Sequence, residues 1–311
     1  MSHWVEKEER SNLATIRLIV VLARSLGRRA GRALLYPITL YFVIFSRGGY
    51  RVSKDFLQRA MNTQPGFRHV FQHYYAFAST LLDNVFISAD QFDLFDIEIC
   101  DNGWRKVIRA DTSAGRGSIF LGAHLGSFYA MRLTGDKFNI PVAAMMHRAE
   151  SSKIMQVLAE QAPSLKRNII EITDPDAWIR AKSLLDEGIS IAILADRSVN
   201  ADSNLQIDFL GKPASFPAGP VIISSLLKVP VYTIFTLYRG KALYQVHIHR
   251  LSESIRLDRT DRLESARPYV TRYVRQLEDH CRLAPYNWFN FYDFWAAAEK
   301  PGTADHEQSA D

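Results

Sequence analysis

Three places in the chain put a titratable side chain directly after a short apolar run. "IFLGAH" ends in His124, "VAAMMHR" ends in His147 and Arg148, and "IAILADR" ends in Asp196 and Arg197. Apolar runs of this length read as buried strands. In α/β sheets, ligands and catalytic groups collect at the carboxyl ends of strands. A strand-end imidazole facing a helix start is suited to general-base work. In "GAHLGSFYA", Gly122 and Gly126 flank His124 and allow close approach of a substrate chain. The helix start at Gly126 and Ser127 favours developing negative charge. A base for an acceptor hydroxyl, with N–H groups or positive charge for an oxyanion, is the equipment of acyl transfer. Such a base needs an acid to orient it. The residue five positions on, about one helical turn away, is Tyr129 rather than a carboxylate.

The elements that must hold these residues follow from the pattern around them. Strands are predicted over 94–100, 118–123, 142–146, 168–172, 189–194, 205–209, 231–237 and 243–249. Helical spacing is read over 65–87, 126–135, 151–161, 176–187, 219–228 and 260–283. Asp174-Pro175-Asp176 marks a helix start and Gly188 its stop. Strands alternating with helices predict an α/β sheet covered on both faces. The stretch 211–220, "GKPASFPAGP", reads as a turn-rich loop forming a wall of the site, with Gly219 and Pro220 opening a helix. The polar tail 298–311 reads as disordered.

The charge is uneven. Residues 1–60 hold eleven Lys/Arg against four acids, a local +7 in a chain whose formal net charge is +5. The remaining body is therefore slightly acidic. From Ser11 to Ser46 apolar runs are interrupted by Arg17, Arg24, Arg28, Arg29 and Arg32, and the longest charge-free piece, 33–46, contains Pro37. That is shorter than the roughly 20 apolar residues a spanning helix needs. The acidic start "VEKEER" and the mid-segment arginines also argue against a signal peptide. The pattern predicts one or two helices in the membrane interface, apolar faces in lipid and arginines at anionic head groups. A nucleic-acid partner is disfavoured, because the basic residues are interleaved with aliphatic runs and no nucleic-acid motif is present. The two cysteines, Cys100 and Cys281, suggest neither a disulfide framework nor a zinc site. The expected organisation is a basic helical annex at 1–62, an α/β domain at 63–297 and the tail.

Several ordered blocks resemble one family. "GAHLGSFYA" matches in position the H-x4-[DE] block of the lysophospholipid acyltransferase superfamily. "HRAESSKIMQVL" matches the next block, where the family carries a functional arginine, here Arg148. "ILADRSVN" with "IDFLGKPASFPAGPVIIS" matches an acidic strand end and the loop after it, which places the family's aspartate at Asp196. "PYNWFNFYDFW" resembles the C-terminal aromatic block. Together they resemble the bacterial lipid A late acyltransferases, and with "HWVEKEERS" a branch associated with aryl polyene clusters. The resemblance implies a glycerol-3-phosphate-acyltransferase-like fold: a mixed, mainly parallel sheet flanked by helices. It implies transfer of an acyl chain from a thioester of acyl carrier protein or coenzyme A to a hydroxyl of a lipid or glycolipid. It further implies a peripheral place on the cytoplasmic face of the bacterial inner membrane, with acyl carrier protein and membrane lipids as partners. No metal or other cofactor is expected beyond the thioester co-substrate.

The departure is Tyr129, which stands where the family has its acid. A phenol with its ordinary pKa near 10 carries no charge at neutral pH. Asp136 is seven residues past it, about 10 Å along a helix. Asp196, at another strand end, is the candidate substitute. The catalytic set is thus His124, Tyr129, Arg148 and Asp196, with Gly126, Ser127, Arg197, Phe216, Gly219 and Trp288 as candidate substrate contacts. The alternative function is a catalytically weak family member that binds a lipid or acyl chain. His69 and His73, spaced i, i+4, are read as a solvated helix face. His247 and His249, alternating on one strand face, are placed at an edge or on the surface.

Overall fold

The computed structural model describes residues 13–146, 157, 169–197 and 203–296. The apolar runs assemble into a seven-stranded sheet ordered β1-β9-β8-β2-β5-β3-β4. Its strands are β1 (Asp96–Cys100), β2 (Ile119–Gly122), β3 (Val142–Met146), β4 (Ile169–Glu171), β5 (Ser190–Leu194), β8 (Val231–Tyr238) and β9 (Leu243–Ser252). β8, β2, β5, β3 and β4 run parallel; β9 is antiparallel to β8, and β1 is parallel to β9. The sheet is thus mixed and mainly parallel.

The central strands are buried on both faces, every residue of β2 and β8 being buried. This is why they read as continuous apolar runs rather than alternating ones. On one face Phe120, Tyr232, Ile234 and Val246 pack with Ile108 of α4 (Trp104–Ser113) and Met131 of α5 (Phe128–Phe138). On the other face Ile119, Leu121, Ile191 and Phe235 join a larger core. That core includes Phe56 of α2 (Arg47–Met61), Ala181 of α6 (Ala177–Asp186), Val221 of α7 (Gly219–Leu227) and Tyr273 of α8 (Arg262–Leu283). Each of the larger aliphatic and phenylalanine side chains contributes roughly 1.5–3 kcal/mol by burial. An exposed ion pair such as Arg59–Asp55 contributes at most about 1 kcal/mol. Packing, not surface charge, therefore holds the sheet.

Two differences from the sequence reading concern this frame. The stretch expected to be a loop, 211–220, is mostly strand: β7 (Lys212–Pro217) pairs antiparallel with β6 (Asn204–Phe209) as a separate ribbon. Its two-residue turn, Leu210 (φ 50) and Gly211 (φ 80), has both residues in the left-handed region, as a tight hairpin turn of the primed type requires. Pro213 and Pro217 suit a two-stranded ribbon, where one edge of each strand needs no donor. The second difference is α4, which the sequence pattern did not suggest.

At the N-terminus α1 (Leu13–Phe45) is broken at Gly27 (φ 77, ψ 165) and packs along α3 (Phe67–Ser88). The expectation that its arginines all meet head groups is corrected for two of them. Arg28 Nε and Nη2 donate to the two oxygens of Asp83 at 2.7 and 3.1 Å, and Arg32 Nη2 donates to Oδ2 at 2.7 Å. Tyr244 Oη donates to the same oxygen at 2.8 Å. Asp83 is fully buried on α3, and a buried carboxylate demands such partners. Beyond Gly27 the helix exposes Leu34, Tyr36, Ile38, Leu40, Tyr41, Phe42, Ile44 and Phe45. No described helix is long and apolar enough to cross a membrane.

Candidate active site

β2 and β5 are adjacent and parallel, so the residues just past their carboxyl ends are neighbours. Ala195 N donates to Gly122 O at 3.0 Å and carries the pairing to the point where both strands stop. There His124 and Asp196 meet. His124 Nδ1 lies 2.8 Å from Asp196 Oδ1, and the His124 amide donates to Oδ2 at 3.0 Å. Trp288 Nε1 donates to Oδ2 at 3.1 Å. Asp196 is completely buried, whereas about a quarter of the His124 side chain is exposed. The carboxylate is the hidden partner and the imidazole the presented one.

Burial by itself would raise the Asp196 pKa. The attraction of His124 and the bonds from its ring and amide, with the charge of Arg197, outweigh burial and hold the pKa at about 2. An ionised Asp196 at neutral pH takes the Nδ1–H of His124. That fixes the tautomer and leaves Nε2 as the proton acceptor.

The surroundings are braced from several elements. Tyr273 of α8 donates to Gly122 O at 2.8 Å. Phe289 N donates to His124 O at 2.8 Å, and Gly126 N to Asn287 O at 2.7 Å, so the 285–295 segment closes over the strand end. His73 of α3, fully buried, lies 2.7 Å by Nδ1 from Ser53 Oγ and 2.9 Å by Nε2 from Trp288 O. Burial pushes its pKa down to about 4, against the smaller upward pull of the bond to Trp288. The solvated face expected for His69 and His73 is therefore wrong for His73, which supports the tryptophan that supports Asp196. His69 instead accepts from Gly66 N at 3.1 Å at the helix start. Periodicity alone hides this: a histidine one or two turns into an amphipathic helix reads the same on either face.

The other expected residues fall into three groups. Ser127, Phe216 and Trp288 lie in the interior rather than on an open wall. Ser127 caps α5, accepting from Ala130 N at 3.2 Å and donating to Asn84 Oδ1 at 2.9 Å. Phe216 packs against Phe209 and Phe294. Trp288 is enclosed by Phe56, Phe209 and Phe294. Gly126 (φ 70) is needed for the backbone: any Cβ there would run into Thr236 O of β8. The amides of Gly126 and Ser127 bond Asn287 O and Thr236 O, and so serve the fold rather than an oxyanion.

Arg197 stays near the pair, its Nη2 donating to Phe289 O at 2.7 Å and its guanidinium lying 5.5 Å from the Tyr292 ring centroid. Gly219 is the first residue of α7, partly exposed. Tyr129 is partly buried on α5, against the cluster that includes Ala130 and Phe289. Arg148, His147 and most of the 151–161 segment lie outside the described residues.

The family described as bacterial lipid A biosynthesis acyltransferase matches residues 104–296, more than half of the chain. That span contains β2, β5, His124, Asp196 and the closing 285–295 segment. A comparison with curated proteins found no match. The chain belongs to the bacterial lipid A biosynthesis acyltransferase family.

Proposed function

We propose, with membership of this family of acyltransferases as the premise, that the protein moves a fatty acyl chain from a thioester to a hydroxyl of a membrane lipid or glycolipid. The observation that carries the proposal is the 2.8 Å contact between His124 Nδ1 and the buried, ionised Asp196. His124 Nε2 takes the proton of the acceptor hydroxyl. The resulting alkoxide attacks the thioester carbonyl, the C–S bond breaks, and the thiol leaves with a proton returned by the imidazolium. Asp196 stabilises the imidazolium during the step. Arg148 and Arg197 are proposed to steady the oxyanion or an acceptor phosphate.

The reading of a silent lipid-binding subunit rested on Tyr129. It loses support because the orienting carboxylate comes from β5 rather than from α5. The donor is proposed to be acyl carrier protein or coenzyme A, and the place the cytoplasmic face of the inner membrane. Peripheral attachment is supported by the exposed apolar half of α1. A cleft of about 1140 Å³ between α1, α3 and the β8–β9 turn adds basic groups at Arg29, Arg239 and Lys241, suited to an anionic carrier or head group. The resemblance to the aryl polyene branch makes an aryl polyene lipid an acceptor to test beside lipid A precursors.

The test is thioester consumption with a panel of acyl carrier protein and coenzyme A donors and bacterial lipid extract. Turnover by wild type and none by His124→Ala is the expected result. Activity that survives His124→Ala would overturn the proposed base.

A further inference from the structure

His247 and His249 are not at an edge. β9 lies between β1 and β8, and both rings point toward α8, their centroids 4.7 and 5.1 Å from that of His280. There they meet His280 of α8, a residue the sequence pattern did not single out. One coordinating nitrogen from each of the three lies within 4.8 Å of the others, the one such cluster among the described residues.

Their hydrogen bonds suit a ligand set. His280 Nδ1–H donates to Gln276 O at 2.6 Å, which leaves its Nε2 as a lone pair. That Nε2 lies 3.4 Å from His249 Nε2. Two imidazole nitrogens on a tetrahedral ion with bonds of about 2.0–2.1 Å lie roughly 3.3–3.4 Å apart. His247 Nε2 is buried and has no hydrogen-bond partner. Its ring packs against His280, with centroids 4.7 Å apart. Metal-bound histidines commonly donate their second N–H to a backbone carbonyl, as His280 does. Burial, chiefly, holds all three imidazoles below the ordinary histidine pKa, in the neutral form that binds metals. The Asp279 carboxylate acts on His249 and His280, and the Arg239 guanidinium on His247.

We infer that His247, His249 and His280 form a binding site for a divalent first-row transition metal ion, zinc being the representative, with water at the fourth position. Imidazole nitrogens suit zinc, copper and nickel, and disfavour magnesium and calcium. The ion ties β9 to α8. α8 in turn carries Tyr273, whose hydroxyl bonds Gly122 O just before His124. The site is separate from the His124–Asp196 pair.

The test is calorimetric titration of the chelator-treated full chain with zinc chloride, followed by cobalt(II) absorption. One equivalent should bind, with tetrahedral cobalt bands and a raised melting temperature. His249→Gln and His280→Phe should each weaken binding about tenfold or more and abolish the zinc-dependent rise. His69→Gln and His124→Ala should bind as wild type does. If His280→Phe fails to fold, the wild-type stoichiometry and the half-buried His249→Gln decide. No saturable binding by wild type, or equal binding by the variants, would overturn the inference and leave three packed imidazoles of which only His249 and His280 share a hydrogen bond.

Discussion

Asp83 and Asp196 are both carboxylates with no exposed side-chain surface, and each is surrounded by donors. Their neighbours differ. Asp83 faces Arg28 and Arg32, two cations that never release a proton, and Tyr244. Asp196 faces His124, an imidazole that can both accept and release a proton and is partly open to solvent. The first arrangement can only hold α1 against α3. The second can move a proton at a surface. A buried charge is therefore not by itself a mark of chemistry. The mark is a buried charge whose partner can exchange a proton and can be reached.

Four substitutions or titrations sharpen or break this contrast. The largest effect is expected at Asp196. Asp196→Asn should lower the rate of acyl transfer by about 10³–10⁴-fold, by analogy with loss of the orienting acid in a serine-protease triad. A drop under tenfold in steady-state assays would show that His124 does not depend on it. Asp83→Ala should instead cost about 3–5 kcal/mol of stability, because it removes the shared partner of two largely buried arginines and of the buried Tyr244 hydroxyl. Activity per folded molecule should stay near wild type. Denaturant melts read the first, and active-site-normalised rates the second.

The third expectation concerns His73, whose folded pKa of about 4 lies below its ordinary 6.5. Below pH 6.5 the unfolded chain takes up a proton that the folded chain refuses. Stability should thus fall as pH drops from 6.5 to about 4, by about 3 kcal/mol from this residue. The comparison is therefore between wild type and His73→Gln, whose pH–stability curve should be flatter; identical curves would refute the account. The smallest effect is expected for Tyr129→Phe. With Asp196 on Nδ1 of His124, loss of the phenol should change kcat/KM by only a few-fold. A loss as large as that of Asp196→Asn would return Tyr129 to the orienting role.

Most of the strands and helices, though neither α4 nor β7, the mixed α/β class and the three strand-end blocks were legible in the linear pattern. Each depends on which residues are apolar over four to eight positions. His124 and Asp196 were legible as strand-end groups for the same reason. Their pairing was a conjecture, because residues 72 positions apart meet only if β2 and β5 are adjacent. Strand order is a property of the packed sheet.

The differences in placement have the same origin. His73, Ser127 and Trp288 are polar or amphipathic residues whose periodicity fits an exposed face or a site wall. Tertiary packing turned each inward and gave its polar atoms a partner. Pro213 and Pro217 disguised β7, because proline argues against a strand until a ribbon with a free edge is known to exist. Arg28 and Arg32 looked like membrane contacts until α3 brought Asp83 beneath them. By itself, then, the sequence determined the elements and the reactive side chains at their ends, because local burial writes a local pattern. Only the tertiary structure decided which side chains face one another, because contacts between distant segments leave no periodic trace in either segment.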